Sequence, residues 1–302
     1  LSSVYFSTYY VKKIGYKKSN ISLKDTFEKS SMMVKMGIAL MFVTFAGMVS
    51  DYIIKIYISN YSDLAMVGIY QAGTTIVSGY FSIIIIAMMT DYYPRISAVF
   101  DNNQKLIEEL NKQAKVGLIL ITPLIVTFMF IMPFFVEILY SKEFIMSVDY
   151  MRYAIFWTLI IIVSNPIDMI LIAKQNTKIF LWATIFYRTI GIAVSLYSFK
   201  HYGIEGLGVA MLIMGLIHIT LMQSIMYKLY EIKLDSETIK MFLLSVLLTV
   251  VSFFTSDLDD ILVKYIFGSF ILSISIWYSI THFKKVTDIS ILSFIQKKIK
   301  IK

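Results

Sequence analysis

Residues 154–186 read AIFWTLIIIVSNPIDMILIAKQNTKIFLWATIF, two apolar runs that meet at Lys174-Gln-Asn-Thr-Lys178. The runs extend to 150 on one side and 199 on the other. Each therefore reaches the roughly 20 helical residues that cross a hydrocarbon core of about 30 Å. A short basic link between two such runs predicts a helical hairpin whose turn lies on the cytoplasmic face. Outward from this stretch the pattern repeats, with runs at 34–58, 64–93, 115–140, 150–173, 179–199, 205–228, 241–256 and 261–283. If the gaps alternate inside and outside, 22 of the 28 lysines and arginines fall inside or at an inside edge. Lys142, Arg152 and Lys200 fall outside, and Lys55, Arg188 and Lys264 lie within runs. The bias predicts an all-α polytopic membrane protein with eight transmembrane helices and both termini cytoplasmic.

Composition narrows the function. The chain is 58% hydrophobic with mean hydropathy +0.73, above the roughly 45–50% apolar content of soluble domains. The net charge of +8 is the topology signal, facing an anionic leaflet, and does not point to nucleic acid. There is no cysteine, and the three histidines (His201, His218, His282) are scattered, so neither a thiolate site nor a zinc site is expected and no cofactor is implied. The first residues, Leu1 to Lys13, read like the last turns of a transmembrane helix meeting a basic edge, so an N-terminal truncation is expected. Three segments follow: 1–33 as that helix tail and a cytoplasmic amphipathic linker, 34–228 as a six-helix bundle, and 229–302 as a two-helix extension with a basic tail. Within them, Pro94 at the inner end of the second run is expected to stop or kink its helix. The glycines of Gly203-Ile-Glu-Gly-Leu-Gly208 allow close helix approach.

Charges inside spans are costly and mark candidate sites. Asp51 and Lys55 stand four residues apart on one helix face. They read either as an internal ion pair or as the lining of a cavity in which Lys55 attracts an anion and Asp51 exchanges an ion. Arg188, near the middle of the fifth run, suits bidentate phosphate binding. Equally, it lies within reach of Asp168 and reads as that carboxylate's structural partner. Asn165-Pro-Ile-Asp168 has the composition of a helix break that frees carbonyls for an ion, with Pro166 as the gating element. His218 titrates in the physiological range or packs by hydrogen bonding. Tyr52, Tyr70, Tyr80 and Tyr187 lie deep enough to stack on sugar rings, or to pack.

Run 1 through the start of run 3 carries a further signal. It consists of Ser50-Asp-Tyr-Ile-Ile-Lys55, a short turn, Met66-Val-Gly-Ile-Tyr-Gln-Ala-Gly73, then a long helix ending in Tyr93-Pro-Arg-Ile-Ser97 and a polar helix. This order resembles the second lobe of bacterial polysaccharide or O-antigen flippases of the multidrug/oligosaccharidyl-lipid/polysaccharide exporter superfamily. Their pattern is an acidic-plus-basic helix, "VGxY" and "P-x-IS". The resemblance implies a two-lobe transporter of the bacterial inner membrane whose first lobe is missing here. It also implies flipping of undecaprenyl-diphosphate-linked oligosaccharide by alternating access, with Lys55 and Arg188 on the anionic head group, Asp51 and Asp168 in ion coupling to H+ or Na+, and membrane lipids around it. A lipid II flippase or a drug/cation antiporter of the same superfamily remains an alternative, as does a membrane-embedded enzyme of polysaccharide assembly.

Overall fold

The computed structural model describes residues 2–14 and 22–287. Helices α1 (Ser2–Ile14), α2 (Leu23–Tyr61) and α3 (Leu64–Thr74) are followed by a π-helical turn (Thr75–Tyr80) and α4 (Phe81–Ser97). Then come α5 (Asn103–Leu139), a 3-10 turn (Lys142–Phe144), α6 (Ser147–Ala173), α7 (Thr177–Tyr230), α8 (Ser236–Thr255) and α9 (Ile261–Thr287). The described regular structure is all helical. The chain divides into two compact units, one through Phe42 and one from Val43 onward. The helix tail and amphipathic linker expected over 1–33 and the basic tail fall partly outside the described residues, at 1, 15–21 and 288–302.

Among the described residues seven segments are long and apolar enough to cross a membrane, and one of them holds two crossings. α7 has 54 residues, about 80 Å of helix at 1.5 Å per residue, far more than one crossing needs. Its continuity is interrupted at Gly203, where φ is 59° and ψ is −142°, a region open essentially to glycine alone. There the chain reverses. Gly206 packs on the Ser198 carbonyl and Gly191 on Met214, so residues on either side of the turn face each other. The far ends of the two arms also meet. Asn176 donates to the Tyr230 hydroxyl at 3.0 Å, and Asn103, which accepts from Lys174 at 2.7 Å, donates to the Tyr230 carbonyl at 2.8 Å. α7 is therefore a hairpin of two crossings, 177–202 and 204–230.

α6 is the core helix. Its apolar residues point in every direction, which fits a helix enclosed on all sides, and Ile155, Leu159, Ile162, Ile167 and Leu171 are fully buried. Missing side chains bring it close to its neighbours: a Cβ on Gly208 would lie 2.4 Å from the Tyr150 carbonyl oxygen, and one on Gly117 would lie 2.7 Å from Ile162. Such contacts replace the hydrophobic drive that lipid does not supply between helices. α8 and α9 pack on α5 through Thr122 donating to Ser245 at 2.8 Å, Ser279 donating to the Ile119 carbonyl at 2.8 Å, and a small cluster of Val126, Phe130, Leu248 and Ile271.

Polar contacts gather the loops into two ends. At one, Arg95 pairs with Glu109 and Lys115 with Asp235 (2.7 and 3.0 Å), beside the Asn103–Lys174–Tyr230 junction. At the other, Tyr153 donates to Glu205 at 2.7 Å, and Arg152 binds Asp257 and the Phe253 carbonyl at 2.5 and 3.1 Å. The helix containing Pro94, where a stop or kink is expected, ends one turn past it at Ser97. Arg95 ties that last turn to α5 through Glu109 and Gln113.

At the basic end Asp235 caps α8 by accepting from the Thr238 amide at 2.6 Å. Burial alone would raise its carboxyl, but the bonds from Thr238 and Lys115 outweigh burial and hold it below the ordinary 3.8. A depressed native pKa contributes stability above the unfolded value, and that stability is lost as pH falls through the native one. Asp235→Ala should therefore cost about 1 kcal/mol at neutral pH. The difference from the parent should shrink below about pH 4, read by thermal unfolding in detergent.

Candidate functional site

Two adjoining cavities open along α6, between it, α2, α3 and the α7 hairpin. The first, about 270 Å³ and nearer the Gly203 turn, is lined by Ser50, Asp51, Tyr70, Thr74, Ser78, Tyr150 and Ser195, among others. The second, about 250 Å³ and nearer the basic end, is lined by Asn165, Asp168, Phe180, Thr184 and His218, among others. Trp157, Tyr187 and Arg188 belong to both walls.

Arg188 lies on the first arm of α7. Its guanidinium rests against α2 where Gly47 has no side chain; a Cβ there would lie 3.2 Å from Nη2. Among the described residues it has no ion-pair partner within 4.0 Å. The neutralising contact with Asp168 is thus not formed. Asp168 Oδ2 lies instead 3.3 Å from His218 Nε2, and His218 Nδ1 lies 3.1 Å from Ser164 Oγ. The pairing follows from topology: α6 and the second arm run parallel, as Gly208 against Tyr150 and Gly215 against Ile160 show, so 168 and 218 reach similar depth.

Asp51 and Lys55 form their internal pair at 2.6 Å. Asp51 lines the first cavity; Lys55 lines neither cavity. Tyr70 is buried in the first wall, edge-on to Tyr150 with centroids 5.4 Å apart. Tyr52 and Tyr80 are exposed and line neither cavity. Tyr187 packs against the His218 ring at 5.0 Å. The expected break at 165–168 is absent, since α6 runs through it. Pro166 instead offers its carbonyl to the Tyr92 hydroxyl of α4 at 3.3 Å.

The sequence reading missed the Asp168–His218 pair and the π-helical turn. That turn widens the helix just where Thr74 and Ser78 enter the first cavity, and π-bulges often mark functional sites. Its sequence signal was no more than the hydroxyl residues Thr74, Thr75 and Ser78 between Gly73 and Gly79. Chemically, the first cavity offers a guanidinium, hydroxyls, aromatic rings and the Asp51 carboxylate, the last already paired with Lys55, a set suited to an anion joined to a polar body. The second offers a carboxylate–imidazole pair.

A family model described as a polysaccharide biosynthesis protein matches residues 4–149, just under half of the chain. The motifs at 50–55, 66–73 and 93–97 lie inside that range, and the family agrees with the resemblance read from them. No curated protein matches. Among solved structures the chain is similar to a MOP superfamily transporter from Pyrococcus furiosus, at 16% identity and a TM-score of 0.47. The match covers 74% of this chain and 52% of that one, so the chain spans about half the length of the structure it matches.

Proposed function

We propose that this multi-pass membrane protein forms the second lobe of a transporter for surface polysaccharide synthesis. It would carry undecaprenyl-diphosphate-linked oligosaccharide across the bacterial inner membrane by alternating access, with both termini cytoplasmic. The observation that carries this reading is Arg188, a membrane-depth arginine with no ionic partner among the described residues, in a cavity of hydroxyls and aromatic rings. An arginine at the centre of a membrane helix costs roughly 2.5–3.5 kcal/mol on insertion scales. A diphosphate accepting its planar fork would offset that cost. Tyr70, Tyr150, Trp157 and Tyr187 surround the same space with surfaces suited to sugar rings. The family match to polysaccharide biosynthesis supports the substrate class. In the first cavity a drug or cation antiporter would present a carboxylate to its ligand, and the carboxylate there, Asp51, is committed to Lys55 at 2.6 Å.

The test is surface polysaccharide in a strain lacking its own flippase, with protein abundance checked. The parent restores polysaccharide. Arg188→Ala lowers it at least about tenfold, the scale of losing a buried charge contact, and Arg188→Lys, which cannot bind bidentately, does not rescue it. Full activity of both variants at normal abundance would sink the anion-site reading.

A further inference from the structure

α5, α8 and α9 each carry charge where their apolar runs stop, and those stretches meet around a third cavity of about 460 Å³ at the basic end. Its charged lining is Glu108, Lys112 and Lys115 of α5, Asp235 and Glu237 at the start of α8, and Lys285 in the last turn of α9. We propose that this cavity is a head-group site for a phospholipid bearing a primary ammonium, a phosphatidylethanolamine. Glu108 would take the ammonium, and Lys112 and Lys285 the phosphate. The site shares no residue with the two cavities along α6 and does not depend on the transport reading.

Depth is the first argument. The apolar runs of these helices begin at 115 and 241 and end at 283, and the lining adjoins those limits from the polar side. That puts the cavity at the level of lipid head groups rather than of acyl chains. The second argument is the state of its charges. Three of the six satisfy one another. The Lys115 side chain, only 12% exposed, binds Asp235 at 3.0 Å and also Glu237. Asp235 is held further by its cap bond to Thr238 and by its own amide, which donates to Asn111 at 2.7 Å. The other three, Glu108, Lys112 and Lys285, are exposed and have no ionic partner among the described residues. Glu108 and Lys112 stand four apart on one helix. At that spacing Asp51 closes on Lys55 at 2.6 Å and Asp91 on Arg95 at 3.2 Å, whereas Glu108 and Lys112 stay open beside the cavity.

A free carboxylate and two free lysines around one space complement a head group that joins an ammonium to a phosphodiester. Lysines alone would suit an anionic lipid; the free carboxylate is what favours a cationic end. A primary ammonium brings three N–H donors to that carboxylate, and the trimethylated nitrogen of phosphatidylcholine brings none. The volume falls within the roughly 300–1,000 Å³ of small-molecule sites. A lipid seated there would bridge α5 to α9, joining the two-helix extension to the bundle on the side where Lys285 has no protein partner among the described residues.

The test is competition between phosphatidylethanolamine and phosphatidylcholine of identical acyl chains for the delipidated full chain in detergent, with retained lipid counted by native mass spectrometry. Only the head group then differs. The ethanolamine lipid should be retained about tenfold over the choline lipid, the scale of one charge-assisted hydrogen bond. Glu108→Ala should bring that ratio close to unity. The double variant Lys112→Ala, Lys285→Ala should lower retention of both lipids and leave their ratio standing, because both carry the phosphate. All three positions are exposed on helices, where alanine is well tolerated, and the two patterns differ in a way that a loss of folding does not produce. A parent ratio near unity, or a Glu108→Ala variant that keeps the parent's ratio, overturns the proposal. Retention of phosphatidylglycerol above the ethanolamine lipid overturns it too, since the site would then read negative charge alone. If free O-phosphoethanolamine displaces the lipid at equal concentration, the ligand is a soluble phosphate ester and the lipid assignment falls.

Discussion

Gly208→Val is expected to destabilise the protein by about 3 kcal/mol, at the upper end of what overpacking costs in a filled interior. The reason is local. A Cβ at 208 would stand 2.4 Å from the Tyr150 carbonyl oxygen and 3.1 Å from its carbonyl carbon. A backbone carbonyl inside α6 cannot swing aside as a flexible side chain can, so the two helices must separate. That separation reaches the first cavity directly, because Tyr150 and Leu207 are in its wall. Gly191→Ala is the internal control. Its nearest neighbour is the Met214 Cε at 3.5 Å, an ordinary contact, and alanine is the better helix former by about 1 kcal/mol. Thermal unfolding in detergent, followed by tryptophan fluorescence, should show a large drop for Gly208→Val and none for Gly191→Ala. Equal behaviour of the two would mean that the α6–α7 approach is looser than this geometry.

Apolar length and basic edges made the crossings readable, because both are one-dimensional properties that the bilayer imposes on any span. Even α7, written by the backbone as one long helix, is two of the runs, divided where glycine alone tolerates the turn. Gly203 and Gly206 were visible as glycines, but their work as a reversal and a close contact depends on which residues lie across the turn. The candidate site was half legible for the same reason. Asp51 with Lys55, four apart on one helix, is a local relation, and the pair is present. Arg188 with Asp168 was an inference from depth alone, and depth does not decide azimuth: His218, equally deep on another helix, takes the carboxylate. The π-helical turn at 75–80 is a backbone register shift with no periodicity of its own. It showed in the sequence only as two glycines, Gly73 and Gly79, with three hydroxyl residues between them.

A set of single cysteines should give an all-or-none answer about topology, since the chain has no cysteine of its own. Thr177→Cys and Ser236→Cys flank the α7 hairpin, and His201→Cys sits at its exposed turn. In intact cells a membrane-impermeant maleimide should label His201→Cys fully and leave the other two unlabelled until the membrane is permeabilised. Had α7 crossed once, 177 and 236 would report opposite sides. The contacts of Asn176 and Asn103 with Tyr230 forbid that, because they join the two ends of α7 on one face. The orientation rests on a different argument, the concentration of lysine and arginine at that face, and the same experiment separates the two. Labelling of 177 and 236 with protection of 201 would keep the eight crossings and reverse the orientation, turning the basic end of the second cavity, and with it the Asp168–His218 pair, toward the outside.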